Sequence, residues 1–429
     1  MKKITLLACC FAMSLSTTYA QSNTEKQYHF LRDYKAPDFK QKRFDIGFNL
    51  FGSGVTGDIK LHSFNERSNF NYSQYANSAK YQGSLNVGLL TDISLYKNED
   101  FKDFRMDYET VLNTQNRFFF NKEWFIGFHN RLGIGYESEN DSNPGGKTTE
   151  LSVSTVPALS IGNGRLEPVI YARSAMDIEK SLTKGGRLSS GYSEGQLKMI
   201  ADELARINNV RFYDFRLRRI EQFEALDKLM KEVGGVSDFD MVYFSHLSDA
   251  YLYAQSFTRY SGFRTEIGIV NKTDIHLWNP NDVLYQRYNI SGFANVIYDL
   301  PKTYAVQHTF SAGAMGGPEL IENNGIAVST TPMWLTGEYR LGLFPTTRTN
   351  LNFGVKTGMY YEEEVGAALG FYSNGNIYLS PQFRLSFNAG VKWGENYVEH
   401  EVGGIIPSVY NSYDGLTFRG GISLNYAIF

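Results

Sequence analysis

The sequence predicts an all-β transmembrane barrel, antiparallel, of about 14 strands, with one α-helical periplasmic insertion between strands. Three observations predict it. Apolar and polar residues alternate with a period of two through most of the chain. The alternating runs are about 9–14 residues long, which suits tilted strands crossing a bilayer better than the roughly 5–6 residues of an average soluble strand. The 429 residues include 31 Phe, 29 Tyr and 40 Gly, yet past the first segment no apolar run reaches the roughly 18 residues of a transmembrane helix. In lipid every backbone group needs a partner, which requires the strands to close into a barrel.

Residues 1–20 read as a secretory signal. Lys2 and Lys3 precede an apolar core from Ile4 to Leu15, and Thr18-Tyr19-Ala20 fits a cleavage site after Ala20. Cys9 and Cys10 both lie inside it, so the mature chain is expected to have no disulfide or thiol chemistry. Leu6-Leu7-Ala8-Cys9 looks like a lipoprotein box, but it would leave an apolar core of only about five residues, against roughly 7–15 in ordinary signals. The expected location is the bacterial outer membrane, with outer-membrane lipid around the barrel and the barrel-assembly machinery as a partner in biogenesis. A net charge of −3 gives no basis for a nucleic-acid partner.

Residues 21–41 are polar and mixed in charge and read as an exposed periplasmic tail. The first part of the barrel follows over 42–161. Phe44, Ile46, Phe48 and Leu50 face away from Asp45, Gly47 and Asn49; Leu85 to Leu95, Phe104 to Leu112, Trp124 to Tyr136 and Leu151 to Ile161 repeat the pattern. The second part, 259–429, has further runs at Phe263–Ile269, Tyr288–Tyr298, Tyr304–Gly316, Leu335–Leu343, Leu351–Tyr361, Phe383–Trp393 and Leu416–Ile428. Aromatics near the run ends, such as Tyr136, Trp278 and Trp393, suit interfacial girdles. With both termini in the periplasm, long polar links (137–147, 318–324, 395–413) alternate with tight ones (117–122, 300–302, 344–347). The runs at 43–50 and 55–64 are ambiguous, so 12 strands is the alternative to 14. A terminal Phe429 resembles the closing aromatic of outer-membrane barrels, though its parity differs from that of Leu424, Tyr426 and Ile428.

Residues 162–258 break the pattern and read as the helical periplasmic insertion. Ser193 with Gln196 is a capping-box signal. Leu197, Ile200, Ala201, Leu204 and Ile207 then recur at helical spacing. A second helix carries Phe212, Phe215, Ile220, Phe223, Leu226 and Leu229 and ends at Gly234-Gly235. Gly164-Arg165-Leu166-Glu167-Pro168-Val169, a helix through Ala175 to Leu182, and Arg211-Phe212-Tyr213-Asp214-Phe215-Arg216-Leu217-Arg218-Arg219-Ile220-Glu221 resemble a Bacteroidota family of outer-membrane barrels with a helical segment between strands. The resemblance covers roughly 164–230. It implies a location and an architecture and no established activity, so it transfers no site residues.

Candidate lumen-lining residues are Arg105, Asp107, Glu109, Arg131, Arg264, Glu266, Arg340, Lys356, Arg384 and Lys392, all at inward parity. Their mixed signs allow either a lumen filled by ion pairs or a polar channel lining; a ring of one sign would have argued ion selectivity. Arg211, Arg216, Arg218 and Arg219 form a basic cluster, read either as a salt-bridged solvated face or as a docking surface for a periplasmic protein. Asp214 with Arg218 and Asp202 with Arg206 have i,i+4 spacing. The seven His are scattered without metal-ligand spacing, and no G-x-S-x-G or nucleophile–base pair stands out. No cofactor, metal or catalytic residue is therefore expected. The expected function is a pore or transport-type barrel whose periplasmic helices plug or gate it. The alternatives are a membrane-anchored interaction or assembly protein and, less favoured, an outer-membrane enzyme.

Overall fold

The structure, a computed structural model, describes residues 29–55, 61–97, 102–141, 147–208, 215–254, 259–279, 283–346, 348–361, 365–380, 383–394, 396–401, 406–411 and 416–426. The expectations for residues 1–20 and for Phe429 fall outside these.

The described strands are β1 (Phe39–Val55), β2 (Leu61–Ser78), β3 (Tyr81–Lys97), β4 (Lys102–Phe119), β5 (Trp124–Asp141), β6 (Lys147–Thr155), β7 (Ala158–Pro168), β8 (Tyr260–Asn279), β9 (Val283–Pro301), β10 (Val306–Gly316), β11 (Glu319–Asn323), β12 (Ile326–Thr330), β13 (Met333–Thr346), β14 (Thr349–Tyr361), β15 (Val365–Tyr378), β16 (Phe383–Gly394), β17 (Asn396–Glu401), β18 (Ile406–Asn411) and β19 (Leu416–Tyr426). All but β17 and β18, a separate hairpin, join one antiparallel sheet of 17 strands closed into a barrel. Three staves of the barrel are each split in two. The segments β6 and β7 both lie between β5 and β8, separated at Val156-Pro157. Likewise β10 and β11 both pair β9 and are separated at Gly317-Pro318, and β12 and β13 are separated at Thr331-Pro332. Counting each split stave once leaves fourteen. Proline has no N–H to donate, so each break falls where the ladder tolerates a missing bond.

The strands are longer than the sequence runs suggested: β1 has 17 residues and β2 has 18. The ambiguous run at 43–50 is part of β1; of the run at 55–64, Val55 ends β1 and 61–64 begin β2, while 56–60 lie outside the described residues. Most of the supposed polar link at 318–324 is strand too, since β11 covers Glu319–Asn323. Its turn is Asn324-Gly325, where φ is +49° and +81°, the left-handed pair that closes a two-residue hairpin.

The outer face follows from exposure. Phe263, Ile267, Ile269 and Leu277 of β8 are exposed, whereas Arg264, Glu266 and Val270, at the opposite parity, are buried. The same split holds on β9, where Tyr288, Ile290 and Tyr298 are exposed and Asn289, Ser291, Asn295 and Asp299 are buried. An apolar outer face with a polar inner one is the arrangement a bilayer demands of a barrel.

Between β7 and β8 the chain forms four described helices: α1 (Ile170–Lys184), α2 (Glu194–Asn208), α3 (Phe215–Val233) and α4 (Met241–Ala254). Residues 164–168 belong to β7, so the helical excursion opens at Val169 rather than at 162. Gly164 has φ +88°, and a Cβ there would sit 2.2 Å from the Phe263 carbonyl oxygen; only glycine fits that twist. Ser193 and Gln196 form the reciprocal capping box: Ser193 N–H donates to Gln196 Oε1 at 2.9 Å and Gln196 N–H to Ser193 Oγ at 3.3 Å. The i,i+4 spacing of Asp202 and Arg206 does not produce an ion pair between them. Asp202 instead takes Lys198, one turn earlier, and Arg206 takes Glu203. Asp202 also accepts from Tyr34 Oη at 3.4 Å, which draws it toward the N-terminal segment.

The four helices bury a shared core that includes Ile178, Leu182, Ile200, Leu204, Leu226 and Leu247. Each such side chain contributes roughly 1.5–3 kcal/mol. Phe30, Leu31 and Tyr34 belong to the same core. Residues 29–41 are therefore not an exposed tail, because Phe39 joins these three and four of their apolar side chains pack in the core of the helices. Burial and the neighbouring Asp202 push the Tyr34 phenol well above its usual pKa.

Candidate functional site: a helix across one mouth of the barrel

The helical excursion leaves and re-enters the barrel at neighbouring strands. Pro168 pairs Tyr260, and Val169 N–H donates to the Arg259 carbonyl oxygen at 2.9 Å. From there α1 lies across the mouth, touching staves far apart around the circumference. On one side Gln41 Nε2 of β1 donates to Tyr171 Oη at 2.7 Å, and Phe39 packs edge-on against the Tyr171 ring at 5.7 Å. On the other side Arg173 Nη2 donates to the Thr346 carbonyl oxygen at 3.1 Å, at the end of β13. The Arg173 guanidinium also lies 4.9 Å from the Phe344 ring centroid and 5.6 Å from that of Tyr304, in the turn between β9 and β10.

Arg173 and Asp177 face this wall together. Both side chains are fully buried, 3.7 Å apart, and Tyr304 Oη donates to Asp177 Oδ1. Burial pushes the Asp177 carboxyl up to about 6, although Arg173, the Tyr304 hydrogen bond and Lys180 all favour its ionised form. Arg259, also fully buried, holds the turn itself: its guanidinium donates to the carbonyl oxygens of Thr303, Tyr304 and Val306 at 2.6–3.2 Å and to Gln307 Oε1 at 2.8 Å. The turn between β13 and β14 meets α4 through Arg348 and Asp249. Beside α1, toward β1–β3, a cavity of about 260 Å³ lined by Gln41, Ser84, Asn86 and Ile170 remains in the lumen.

Above the mouth the inner wall is layered, and β8 displays the order. Glu266 comes first. It accepts from Arg117 Nη2 at 3.1 Å, Ser160 Oγ at 2.5 Å and His129 Nε2 at 2.5 Å, with Arg264 4.0 Å away. Four strands thus meet on one carboxylate. Next is an apolar layer of Val156, Ala158, Val270, Phe293, Met315 and Trp334, all buried. Beyond it lies a second polar layer: Lys272 with Asp274 at 3.5 Å, Asp274 with Ser154 at 2.7 Å, His276 with Glu150 at 2.7 Å and Arg287 with Glu319 at 2.7 Å.

The residues singled out from the sequence fall at several levels. Arg264 and Glu266 join the lower polar layer. Arg105 sits higher, with Asp107 at 3.0 Å and Glu137 at 3.1 Å; Glu109 is exposed and Arg131 half-buried. Arg340 donates to Thr309 Oγ1 at 3.4 Å, and Lys356 lies 5.3 Å from the Tyr372 ring. Arg384 and Lys392, both half-buried, belong to β16 on the far side. Arg211 and Asp214 lie outside the described residues, while Arg216, Arg218 and Arg219 fall in the first two turns of α3. Sequence reasoning missed Arg173, Asp177, Arg259 and Tyr304. The available signal was an i,i+4 charge pair inside an otherwise apolar helical stretch. Among the described residues no group of three or more His, Cys, Asp or Glu side chains converges as a metal site.

No protein-family model matches the chain, and no curated protein matches it. Among solved structures it is similar to the translocator domain of the autotransporter NalP from Neisseria meningitidis, at 8% identity over 81% of this chain and 91% of that one, with a TM-score of 0.32. It is also similar to the alcaligin outer-membrane receptor FauA from Bordetella pertussis (8% identity, 91% of this chain, 58% of that one, TM-score 0.34) and to the ferric citrate transporter FecA (7% identity, 91% and 56%, TM-score 0.34). The chain spans little more than half the length of those last two. These likenesses are weak, and the barrel is read from its own strands and exposure.

Proposed function

We propose that the protein is an outer-membrane transport-type barrel whose lumen is closed at its periplasmic mouth by α1, held by the Arg173–Asp177 latch. The observation that carries this reading is the span of α1's contacts, from Phe39 and Gln41 on β1 to Phe344 and Thr346 on β13. A helix that served only as a spacer between β7 and β8, which are already adjacent, would have no need to reach across the mouth. The buried charges favour a movable contact over a permanent one. An ion pair in a dry site adds little net stability over an apolar packing, yet is sensitive to loss of either partner. The other helices sit on α1 as its support: Ser181 of α1 is bonded to His246 of α4.

Thiol labelling tests the reading. With Cys9 and Cys10 replaced, Asn86→Cys places one thiol in the cavity behind α1. A membrane-impermeant reagent should label it slowly in the otherwise unchanged chain and about a hundredfold faster when Arg173 is also replaced by Ala. Equal rates would count against closure by α1. A second reading, a membrane-anchored module that binds an envelope protein, is favoured by the exposure of Phe239, Met241 and Phe244, with Met241 at 82%. Photo-cross-linking from position 241 in cells should then trap one protein species reproducibly.

A further inference from the structure

Gln41, Tyr75 and Ser84 stand in one cross-strand row on β1, β2 and β3, and Ser73 and Asn86 stand in the next row. Cross-strand partners share a face of the sheet. Here it is the lumen face, because Gln41 Nε2 donates to Tyr171 Oη of α1 at 2.7 Å. Phe39, whose ring lies 5.7 Å from that of Tyr75, packs on the same Tyr171. All five residues line the cavity of about 260 Å³, together with Tyr260 of β8 and with Pro168 and Ile170 where β7 passes into α1.

The lining is polar without being charged. Its polar groups are amides, serine hydroxyls and tyrosine hydroxyls, and none of the described residues that line it is Asp, Glu, Lys or Arg. Among the described residues, none bonds the side chains of Ser73, Ser84 and Asn86 or the hydroxyls of Tyr75 and Tyr260. A charged ligand would lie there without a counter-ion. A hydrocarbon would leave the polar wall unpaired. Amides and hydroxyls both donate and accept, so a ligand that carries several hydroxyls can match them in either sense, while the tyrosine rings offer apolar faces to its carbon skeleton. The volume is below the roughly 300–1,000 Å³ of pockets for drug-sized ligands and suits a single ring. The same neutral chemistry recurs along the inner wall of β14–β16. There Asn352 Nδ2 donates to Asn374 Oδ1 at 2.9 Å, Asn376 Nδ2 to Asn350 Oδ1 at 3.2 Å and Ser386 Oγ to Asn376 Oδ1 at 2.7 Å.

We infer that this cavity is a binding site for one ring of a neutral sugar, held by Gln41, Ser73, Ser84 and Asn86 against the Tyr75 and Tyr260 rings. The sugar lies directly behind α1. This names the solute class for the transport reading above and rests on that reading for the sugar's role as cargo.

The test is saturation-transfer NMR on the full chain in a detergent without a sugar headgroup. Methyl glucoside should give a saturable signal. Glucuronate, which puts a negative charge on the same ring, should bind about tenfold more weakly, and so should cyclohexanol, which keeps one hydroxyl. Ser84→Val with Asn86→Leu, close in volume to the residues replaced, removes two polar groups from the lining. It should weaken methyl glucoside by about tenfold while the barrel keeps its heat-sensitive gel mobility. No saturable signal from methyl glucoside, or equal binding of all three probes, or equal binding of methyl glucoside to the parent and the folded variant, would overturn the assignment. Binding is read without flux, so conductance that refuted closure by α1 would be a separate result from loss of the sugar site.

Discussion

Replacing Arg173 by Ala should open the barrel, and the size of the effect can be worked from its contacts. The first loss is the charged hydrogen bond to the Thr346 carbonyl oxygen, worth roughly 1.5–3 kcal/mol. The second is the guanidinium against the Phe344 ring, worth about 0.5–2 kcal/mol. The third concerns Asp177, which loses its nearest cation. Its carboxyl is already held up to about 6, so at neutral pH it can escape a larger penalty by taking up a proton. A further rise of about one pH unit, to neutrality, caps that share near 1.4 kcal/mol. Release of the guanidinium's own desolvation offsets part of the total, leaving about 3 kcal/mol. Since each 1.4 kcal/mol is tenfold, the undocked population should rise by a factor on the order of a hundred. The assay is the open probability of single barrels in planar bilayers at neutral pH. Open probability unchanged from the parent, in a variant that still shows the folded barrel's heat-sensitive gel mobility, would refute the latch.

Other outcomes follow from the same contacts. The folded-state pKa of Asp177, about 6, lies above its reference value of 3.8. The docked state therefore binds the proton more tightly, and docking is strongest below about pH 4. It weakens by about 3 kcal/mol as pH rises to about 6, then levels off; Asp177→Asn should flatten open probability across that window. Tyr304→Phe removes the hydroxyl bonded to Asp177 and should raise open probability by about tenfold, less than Arg173→Ala. Ser193→Ala breaks the capping box and should lower the stability of the helical layer by about 1 kcal/mol in denaturant titrations, with conductance unchanged. Glu266→Gln leaves Arg117 and Arg264 buried without their anion and should destabilise the barrel by roughly 3–5 kcal/mol, seen as a lower urea midpoint.

Much of the architecture was legible because one physical rule repeats around the barrel. A stave with lipid outside and water or polar groups inside must alternate, so Phe263, Ile267 and Ile269 against Arg264 and Glu266 could be assigned to faces from spacing alone. The split staves were harder. Residues 151–161 read as one unbroken run across Pro157, and Pro318 read as the start of a polar link, yet the ladder is interrupted at both and resumes beyond each with the same parity. The apolar layer inside the wall was also hidden. Phe293 stands at inward parity between Ser291 and Asn295, and a rule that puts polar residues inside has no place for it. Two more misses have a common cause. Residues 241–254 are apolar and aromatic nearly all round, so no polar stripe marked a helix, and Phe30, Leu31 and Tyr34 sit in a mixed-charge segment too short to show a period. In both cases burial is set by the helices packed against them, which local spacing does not record. The latch was illegible for the same reason: Arg173 and Asp177 find Tyr304 and Phe344 only once the barrel has closed.

The most direct measurement follows from the adjacency of β7 and β8. Pro168 pairs Tyr260, so residues 169–258 can be removed and the two strands joined by a short glycine turn without opening the barrel. Single-channel recordings of the full chain and the shortened one, each with folded-barrel gel mobility, then test closure itself. The prediction is a closed or rarely opening full chain and a shortened chain that conducts in uniform, long-lived steps. The same conductance in both, or none in either, would contradict a barrel closed by its own helix.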